Sequence, residues 1–327
     1  MKPTTDNVLW QNIQRRLDNS PLPWRERIAG FGQMAARDRR ASGETWTDQE
    51  VFKVLVLAVL SSNTDWSKVE SVLPEPSTLF HRFDPADYAT LSYTQVETEF
   101  VPWFVARKAG SMALKRNLIC LIQAARKLEG HSRKHGSADS YFTAIVHRSQ
   151  SDPKRAALLL GSDPAYKLPS IGVPLAAETL RNLGYDVAKP DRHIMRAVGC
   201  FGLADFGAWS ADEALRARTK APNPSCARQM AAMVAVENLA QNVQEHVILV
   251  DTAIWLLCAK SGLNLSNADL AQLASTTTDG LVALIESWMQ EEPTEQRETF
   301  EHLVRGLNEN RRGGREVFPQ ALKGKTW

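Results

Sequence analysis

The sequence contains few cysteines, and those it has are widely separated. Cys120, Cys200, Cys226 and Cys258 form no C-x-x-C pair and no cluster with histidine. A disulfide framework, a zinc ribbon and a cysteine-ligated iron–sulfur cluster each need such groupings, so all three are disfavoured.

A strong excess of one charge and a long hydrophobic run are also absent. The 39 Lys and Arg residues nearly balance the 37 Asp and Glu residues, for a formal net charge of +2. This balance excludes a protein that binds nucleic acid by bulk charge alone. The most apolar runs, Val51–Leu60 and Val247–Ala259, are short and contain Lys53 and Asp251. With no apolar signal core near the start, the sequence predicts a cytoplasmic protein without membrane association.

What the sequence does contain are helix signals along most of its 327 residues, of which 43% are hydrophobic. Capping boxes of the form S/T-x-x-E occur at Thr47–Glu50, Ser67–Glu70, Thr94–Glu97 and Ser210–Glu213. No segment has the alternation typical of a strand, so we predict an all-α fold.

Two predicted helices stand out by their patterns. Val51–Leu60 is apolar on all sides, which is typical of a helix at the centre of a domain. Val105–Leu128 is amphipathic and is expected to end at Gly130. The remaining predicted helices are Ala138–Arg148, Pro153–Leu160, Pro174–Leu183, Arg192–Val198, Ala211–Arg218, Ser225–Gln241, Val247–Lys260, Ala268–Ala274 and Leu281–Gln290.

Basic residues are concentrated in one segment. Between Arg107 and Lys134 eight lysines and arginines accompany a single acid, Glu129. The segment fits either a solvated helix face or a surface that contacts phosphate groups. Composition alone does not separate these two interpretations.

A short turn rich in proline and glycine joins two of the predicted helices at Leu168–Gly172. The second helix would present unpaired N–H groups and the positive end of its dipole, which together favour a phosphate. Gly172 is expected to supply a positive φ and a close approach between the helices. An ordinary αα-hairpin explains the same pattern.

Asp191 lies nineteen positions after Gly172, between a proline and a predicted helix. An aspartate at this position is typical of an N-cap, and a cap also projects its carboxylate at the helix mouth. A catalytic role is therefore compatible with capping. His193 has no companion at metal-ligand spacing, so we expect it to pack or hydrogen bond locally.

Leu168–Gly172, the helix that follows, and the Pro-Asp-x-His-x-x-Arg stretch at 190–196 resemble the helix-hairpin-helix DNA glycosylase superfamily, the group of endonuclease III. The resemblance implies two helical domains that flank a DNA-binding cleft, with Asp191 as the catalytic residue. It also implies that the hairpin binds a DNA phosphate, often through a monovalent cation, with no other cofactor. The implied phosphate-binding residues are Pro169, Ser170, Ile171, Gly172 and Val173, with Ser170 standing where glycine is usual.

The stretch from Val51 to Trp66, with Phe80–Pro85, resembles bacterial 3-methyladenine DNA glycosylase I. This resemblance implies that Trp66 faces a flipped base. The family's pocket glutamate would fall at Ala58, and its zinc-binding Cys and His residues are missing. Asn63 matches the polar wedge of endonuclease III relatives, and Arg107 and Lys108 are expected to contact DNA.

Together these patterns predict a monomeric glycosylase that acts on double-stranded DNA, with an alkylated purine as the favoured substrate. Strand cleavage in bifunctional relatives needs a lysine where this chain has Pro174, so we predict monofunctional activity. Lys189 leaves a glycosylase/lyase as an alternative. The others are a hairpin protein that binds distorted DNA without chemistry and a helical scaffold.

The predicted domain organisation has three parts. Residues 1–49 form helices that pack with the C-terminal domain, residues 50–184 form a helical barrel that ends in the hairpin, and residues 185–327 form the C-terminal domain that carries Asp191.

Overall fold

The computed structural model describes residues 5–62, 68–69, 71–72, 79–109, 111–206 and 224–274. Throughout these ranges the regular structure is helical, which confirms the predicted all-α class. The first helices are α1 (Thr5–Asp18), α2 (Trp24–Gly30), α3 (Gln33–Ala41), α4 (Asp48–Leu60), α5 (Pro85–Thr90), α6 (Tyr93–Gln95) and α7 (Val101–Ala106). The others are α8 (Leu114–His135), α9 (Ala138–Arg148), α10 (Pro153–Ser162), α11 (Val173–Asn182), α12 (Arg192–Cys200), α13 (Cys226–Asn242), α14 (Val247–Cys258) and α15 (Asn267–Ala274).

Helix α4 is at the centre of the core, as its apolar sequence predicted. It starts at a capping box in which Thr47 Oγ1 accepts from the Glu50 N–H and the Glu50 carboxylate accepts from the Thr47 N–H. Beyond this cap its side chains are buried on several faces, and it contacts α5, α8, α9 and α11. The cap therefore sets the start of the helix around which the neighbouring helices assemble.

A second capping box lies two residues earlier than predicted. Ser92 Oγ accepts from the Gln95 N–H at 3.1 Å and Gln95 Oε1 accepts from the Ser92 N–H at 2.9 Å, so the box predicted at Thr94–Glu97 is wrong. The glutamine is the N3 partner because its side chain bonds back as well as a glutamate does. The boxes predicted at Ser67–Glu70 and Ser210–Glu213 lie outside the described residues.

The long helix predicted at Val105–Leu128 has different bounds. A single π-helical turn, Val96–Phe100, joins α6 to α7, which ends at Ala106. Helix α8 starts only at Leu114, continues through Gly130, and ends where Gly136 adopts a φ of +89°. Gly136 stops the helix because its left-handed conformation suits glycine, whereas Gly130 is helical and exposed.

The other helices predicted within the described ranges are confirmed with bounds shifted by two residues at most. The helices predicted at Ala211–Arg218 and Leu281–Gln290 lie outside the described residues. Among the helices that are described, none combines the length and the hydropathy needed to cross a membrane.

Helices from the start of the chain pack against helices near residue 274. Helix α1 contacts α13, α14 and α15, and Asn12 Nδ2 donates to the Leu273 carbonyl at 3.0 Å. Helices α2 and α3 also contact α14, and α3 contacts α11. All described residues belong to one compact unit, Met1–Ala274. The division at residues 49/50 and 184/185 stays a prediction.

Candidate functional site

Helices α10 and α11 form a tightly packed hairpin, as predicted. In the turn between them the Ile171 N–H donates to the Leu168 carbonyl at 3.1 Å. The side chains of Leu168, Ile171 and Val173 are buried, so the turn is anchored in the core while its backbone stays partly accessible. This anchoring holds the start of α11 in a fixed place.

The glycine of the turn does not have the role expected of it. Gly172 has a φ of −92°, and a Cβ added there would approach nothing closer than Pro174 Cδ, at 3.9 Å. The expectation of a positive φ and a close approach at Gly172 is therefore wrong. The residue with positive φ is Ser170, at +62°. The glycine usual at this position in the family that the motif resembles would adopt that conformation without strain.

The close approach between the two helices is at Gly161, near the end of α10. A Cβ added there would lie 2.4 Å from both the Cα and the backbone N of Val173. Glycine inside a helix costs about 1 kcal/mol relative to alanine, so its presence there indicates a packing requirement. That signal was available in the sequence and was missed.

The first turn of α11 has unpaired N–H groups. Its N-cap is Gly172, which has no side chain to accept a hydrogen bond, and Pro174 in the first turn has no N–H. Within the described residues no side chain accepts from the N–H groups of Val173 or Leu175. Such N–H groups at the positive end of a helix dipole suit an anion, and phosphate in particular.

A lysine ammonium and several backbone carbonyl groups also lie at this turn. Lys127 Nζ, from α8, donates to the Lys167 carbonyl at 3.2 Å and so places an ammonium directly beside the turn. The carbonyl oxygens of Pro169 and Ser170 accept no hydrogen bond from any described residue. Carbonyl oxygens are hard ligands, and the monovalent cation that the resemblance implies at this turn stays a prediction.

Asp191 is the N-cap of α12, which confirms the capping prediction. Its Oδ1 atom accepts from the His193 N–H at 2.9 Å and from the Ile194 N–H at 3.1 Å. Its Oδ2 atom lies 3.8 Å from Lys189 Nζ, and the side chain is 18% exposed. Oδ1 therefore holds the carboxylate by hydrogen bonds, while the contact of Oδ2 with a described residue is the looser ion pair with Lys189.

A network of buried charges surrounds Asp191. Lys189 Nζ lies 3.3 Å from a carboxylate oxygen of Glu178, a residue of the hairpin helix α11. Burial lowers the pKa of Lys189, but the charges of Glu178 and Asp191 outweigh it and raise that pKa above its ordinary value. Burial likewise raises the pKa of Glu178, yet Lys189 and Arg181 bring it below the ordinary value. Both groups are therefore charged at neutral pH.

The network continues through Arg181 to two other helices. The guanidinium of Arg181 donates to Asp251 of α14 through one NH2 group and to Gln33 of α3, at 2.8 Å, through the other. Thr252 Oγ1 accepts from that second group at 2.7 Å. Burial raises the pKa of Asp251 to about 6, against the opposing effect of Arg181. No sequence pattern pointed to Glu178, Arg181 or Gln33 as parts of a site.

His193 packs locally, as predicted. Its ring lies edge-on to the indole of Trp255, with the centroids 6.3 Å apart. Burial lowers the pKa of His193, and its Nδ1 atom has no hydrogen-bond partner among the described residues. We therefore assign it a packing role beside Asp191.

The predicted base-contact and wedge residues, Trp66 and Asn63, lie outside the described residues, so their roles stay predictions. Arg107 and Lys108 lie at the end of α7, and not on the long helix as expected. The Arg107 guanidinium stacks on the indole of Trp103 at 4.0 Å from its centroid. Both basic residues are exposed, and their contact with DNA stays a prediction.

The rest of the basic segment forms what we call the α8 stripe, defined as Lys115, Arg116, Arg126, Lys127, Arg133 and Lys134. All six residues are exposed, and their separations of 7 and 11 residues return to one helix face. Lys115 pairs with Glu97 at 2.8 Å. For the other five, no carboxylate oxygen of the described residues lies within 4.0 Å.

Positive charges of the α8 stripe contribute to lowering the pKa of a neighbouring imidazole, that of His131. His131 stacks on Tyr141 with the ring centroids 3.9 Å apart. Burial lowers the pKa of His131, and the nearby His135, Lys127 and Lys134 lower it further. The C-terminal half of the stripe is therefore a region of positive potential beside the hairpin.

Comparison with known proteins found a similar solved structure but no family. No protein-family model matches the chain, and no curated protein matches it. The chain is similar in shape to the 8-oxoguanine glycosylase/lyase of Methanocaldococcus jannaschii, solved in complex with a 15-mer DNA containing 8-oxoguanine. The identity is 19%, the match covers 79% of this chain and 100% of that one, and the TM-score is 0.49.

The hairpin geometry predicts opposite effects for two substitutions. Ser170→Gly should stabilise the protein by about 1 kcal/mol, because it relieves a left-handed conformation at a residue with a Cβ. Gly161→Ala should destabilise it by about 2–3 kcal/mol, because the methyl group would overlap the Val173 backbone. Chemical denaturation of both variants and the wild type measures the two changes.

Gly130→Ala provides the matched control, since a Cβ there would meet nothing within 4 Å. It should be neutral or stabilising by up to about 1 kcal/mol. A Gly161→Ala variant as stable as this control would contradict the close approach.

Proposed function

We propose that this protein is a DNA glycosylase that hydrolyses the N-glycosidic bond of a damaged or modified base. The observation that carries the proposal is the position of the Asp191 carboxylate. It is fixed at the start of α12, and Lys189 connects it to the hairpin helix α11, whose N-terminal amides are free. A phosphate-binding helix end joined to a fixed carboxylate is what this chemistry requires.

The target base must leave the duplex before it can react. Extrusion costs a few kcal/mol, which stacking of the base on Trp66 and filling of the gap by Asn63 would offset. As the bond between the base and C1′ breaks, positive charge develops on the sugar. The Oδ2 of Asp191, which is not used in capping α12, would stabilise this charge or orient the attacking water, and a carboxylate that is already fixed needs little reorganisation.

The proposed partner is double-stranded DNA, bound by two features. One phosphate would accept from the free N–H groups at the start of α11. The α8 stripe would contact further phosphates, since it is about 28 Å long by helix geometry and Lys127 joins it to the hairpin turn. Five cations without a described carboxylate partner suit a polyanion better than they suit solvent alone.

We propose that the enzyme is monofunctional and leaves the abasic strand uncut. A lyase needs an uncharged amine that can attack C1′. Pro174 supplies none, and its fixed φ suits the first turn of α11. Lys189 is the lysine nearest to Asp191 along the chain, but its ammonium is paired with two carboxylates that raise its pKa. A protonated amine is not a nucleophile.

An alkylated purine is the proposed substrate. A cationic base such as 3-methyladenine or 7-methylguanine is already a good leaving group, so little pocket chemistry is needed. Trp66 would select it by cation–π attraction. Ala58, at the position of the family's pocket glutamate, is a buried apolar residue of α4. A pocket without that carboxylate fits a broader preference among alkylated purines.

Asp191→Asn should abolish base release while it leaves the fold and DNA binding nearly unchanged. The amide can still cap α12, but it cannot stabilise a positive charge. Wild type and variant are incubated with duplexes that carry alkylated, oxidised, deaminated or otherwise modified bases. Mass spectrometry then identifies the released bases.

Asp152→Asn is the control, because Asp152 caps α10 by accepting from the Lys154 and Arg155 N–H groups, as Asp191 caps α12, but lies 39 residues before Asp191 in the chain. It should keep wild-type excision. Wild-type release of oxidised bases or modified pyrimidines alone would refute the alkylpurine substrate. DNA binding by a wild type that releases no base from any duplex would favour the non-catalytic alternative.

Borohydride reduction of the enzyme with its lesion duplex should give no covalent protein–DNA adduct. Without a free amine at C1′ no Schiff base forms, so there is nothing to reduce. Denaturing electrophoresis detects an adduct by its slower migration. A strong adduct in the wild type that disappears in Lys189→Ala would make the protein a glycosylase/lyase.

Neutralising the α8 stripe should flatten the salt dependence of binding to undamaged duplex. Removing one cation that touches a phosphate should reduce the slope of log K against log salt concentration by about 0.9. Arg116→Gln, Lys127→Gln and Lys134→Gln sample the length of the stripe, and fluorescence anisotropy at several salt concentrations gives each slope. Lys260→Gln, a change at an exposed lysine after α14, is the control. Slopes equal to that of Lys260→Gln in all three variants would leave the stripe as a solvated face.

A further inference from the structure

We propose that Lys189 is a positioning residue, which holds the Asp191 carboxylate in register with the hairpin helix α11. Its role in base release rests on the proposed function, whereas its hold on Asp191 is a property of the folded protein. The contacts that support this role form a closed ring that begins and ends at Lys189.

The first half of the ring starts at the side chain of Lys189. Lys189 Nζ lies 3.3 Å from Glu178 Oε2, and Glu178 Oε1 accepts from Gln33 Nε2 at 3.0 Å. The same amide nitrogen also donates to Asn182 Oδ1 at 2.9 Å. Glu178 and Asn182 lie one turn apart on α11, so this half of the ring ties Lys189 to the hairpin helix and to α3.

The ring returns to Lys189 through its backbone. Gln33 Oε1 accepts from Arg181, Arg181 donates to Asp251, and Asp251 Oδ1 accepts from the Lys189 N–H at 2.9 Å. Both ends of Lys189 are therefore fixed by groups on α3, α11 and α14. A lysine held at its backbone and at its ammonium has little freedom to swing away from Asp191.

The constraint on Lys189 extends to the Asp191 side chain through the backbone of residues 189–191. The Asp191 N–H donates back to the Lys189 carbonyl at 2.7 Å, a three-residue turn centred on Pro190. Proline fixes its own φ and restricts the residue before it to extended conformations. The backbone therefore fixes the orientation of Asp191. The Lys189 ammonium, 3.8 Å from Oδ2, holds the carboxylate in that orientation.

The balance of charges in this buried cluster favours a cation at position 189. Glu178, Asp191 and Asp251 contribute three negative charges, and Arg181 and Lys189 contribute two positive charges. Removing the Lys189 charge would take away the cation paired with Glu178 and Asp191, while Arg181 stays paired with Asp251, and like charges at short range repel strongly when they are buried. Asp191 is the least constrained of the three carboxylates among the described residues, because there only Oδ1 accepts hydrogen bonds, whereas both oxygens of Asp251 do. Its carboxylate would move.

The sharpest variant is Lys189→Met, which keeps an apolar stem and removes the charge. With the base that the wild type releases as substrate, the single-turnover rate of excision should be about 100-fold lower in Lys189→Met. A displacement of about 1 Å at a reacting group lowers the rate by about this factor. Affinity for the same duplex should change by no more than about threefold, since Lys189 is not proposed to contact DNA. Lys189→Arg, which keeps a cation, should restore most of the rate.

A second measurement reports on Asp191 without any activity. Amide hydrogen exchange at His193 and Ile194 depends on the two bonds to Asp191 Oδ1, and it should be faster in Lys189→Met by about tenfold. Exchange in α4 should stay unchanged, which separates a local effect from general destabilisation. Lys260→Met, at an exposed lysine after α14, is the matched control for both measurements.

The outcomes separate this inference from the proposed function. A wild type that excises no base would overturn the glycosylase, while amide exchange would still test the hold on Asp191. Wild-type excision and wild-type exchange in Lys189→Met would refute the positioning role. A Lys189→Arg variant that loses all excision but keeps slow exchange would also refute it, because Lys189 would then act as a nucleophile. If Lys189→Met fails to fold, Glu178→Gln tests the same hold from the other side of the ammonium.

Discussion

Neutralisation of one buried guanidinium constrains much of this structure. Arg181 is 3% exposed, and moving such a charge out of water costs several kcal/mol unless partners surround it. Those partners come from distant parts of the chain: Asp251 and Thr252 from α14, and Gln33 from α3. The hairpin helix that carries Arg181 can therefore be buried only when α3 and α14 are both in place.

The same constraint explains why the hairpin and the aspartate occupy fixed positions relative to each other. Asp251 uses one oxygen for Arg181 and the other for the Lys189 backbone, so a single carboxylate joins the hairpin helix to the segment before α12. In the proposed glycosylase, phosphate binding at the start of α11 and bond cleavage at Asp191 would share one rigid frame. The fixed relative position of the two sites is a physical reason to keep a buried ionic cluster, although apolar residues in its place are often as stabilising or more so.

Local signals predicted most of the helices and the cap at Asp191, because caps and periodicity act within a few residues. They failed where the decisive neighbour is distant. The end of α8 is a separate case, since Arg133, Lys134 and His135 stand just before Gly136 and basic residues are typical of a last turn. The partners of Arg181 lie 70 and 148 residues away, beyond any periodic pattern. Asp251, a carboxylate inside an apolar run, was the one visible sign that a buried cation had to exist.

The packing of α1 against α13, α14 and α15 has a consequence for synthesis on the ribosome. Apolar residues of α1, such as Ile13 and Leu17, are fully buried only against helices that end near residue 274. At 5–20 residues per second, roughly 10–50 seconds pass between emergence of α1 and emergence of its partners. Throughout that interval the apolar face of α1 lacks the helices that cover it in the folded protein.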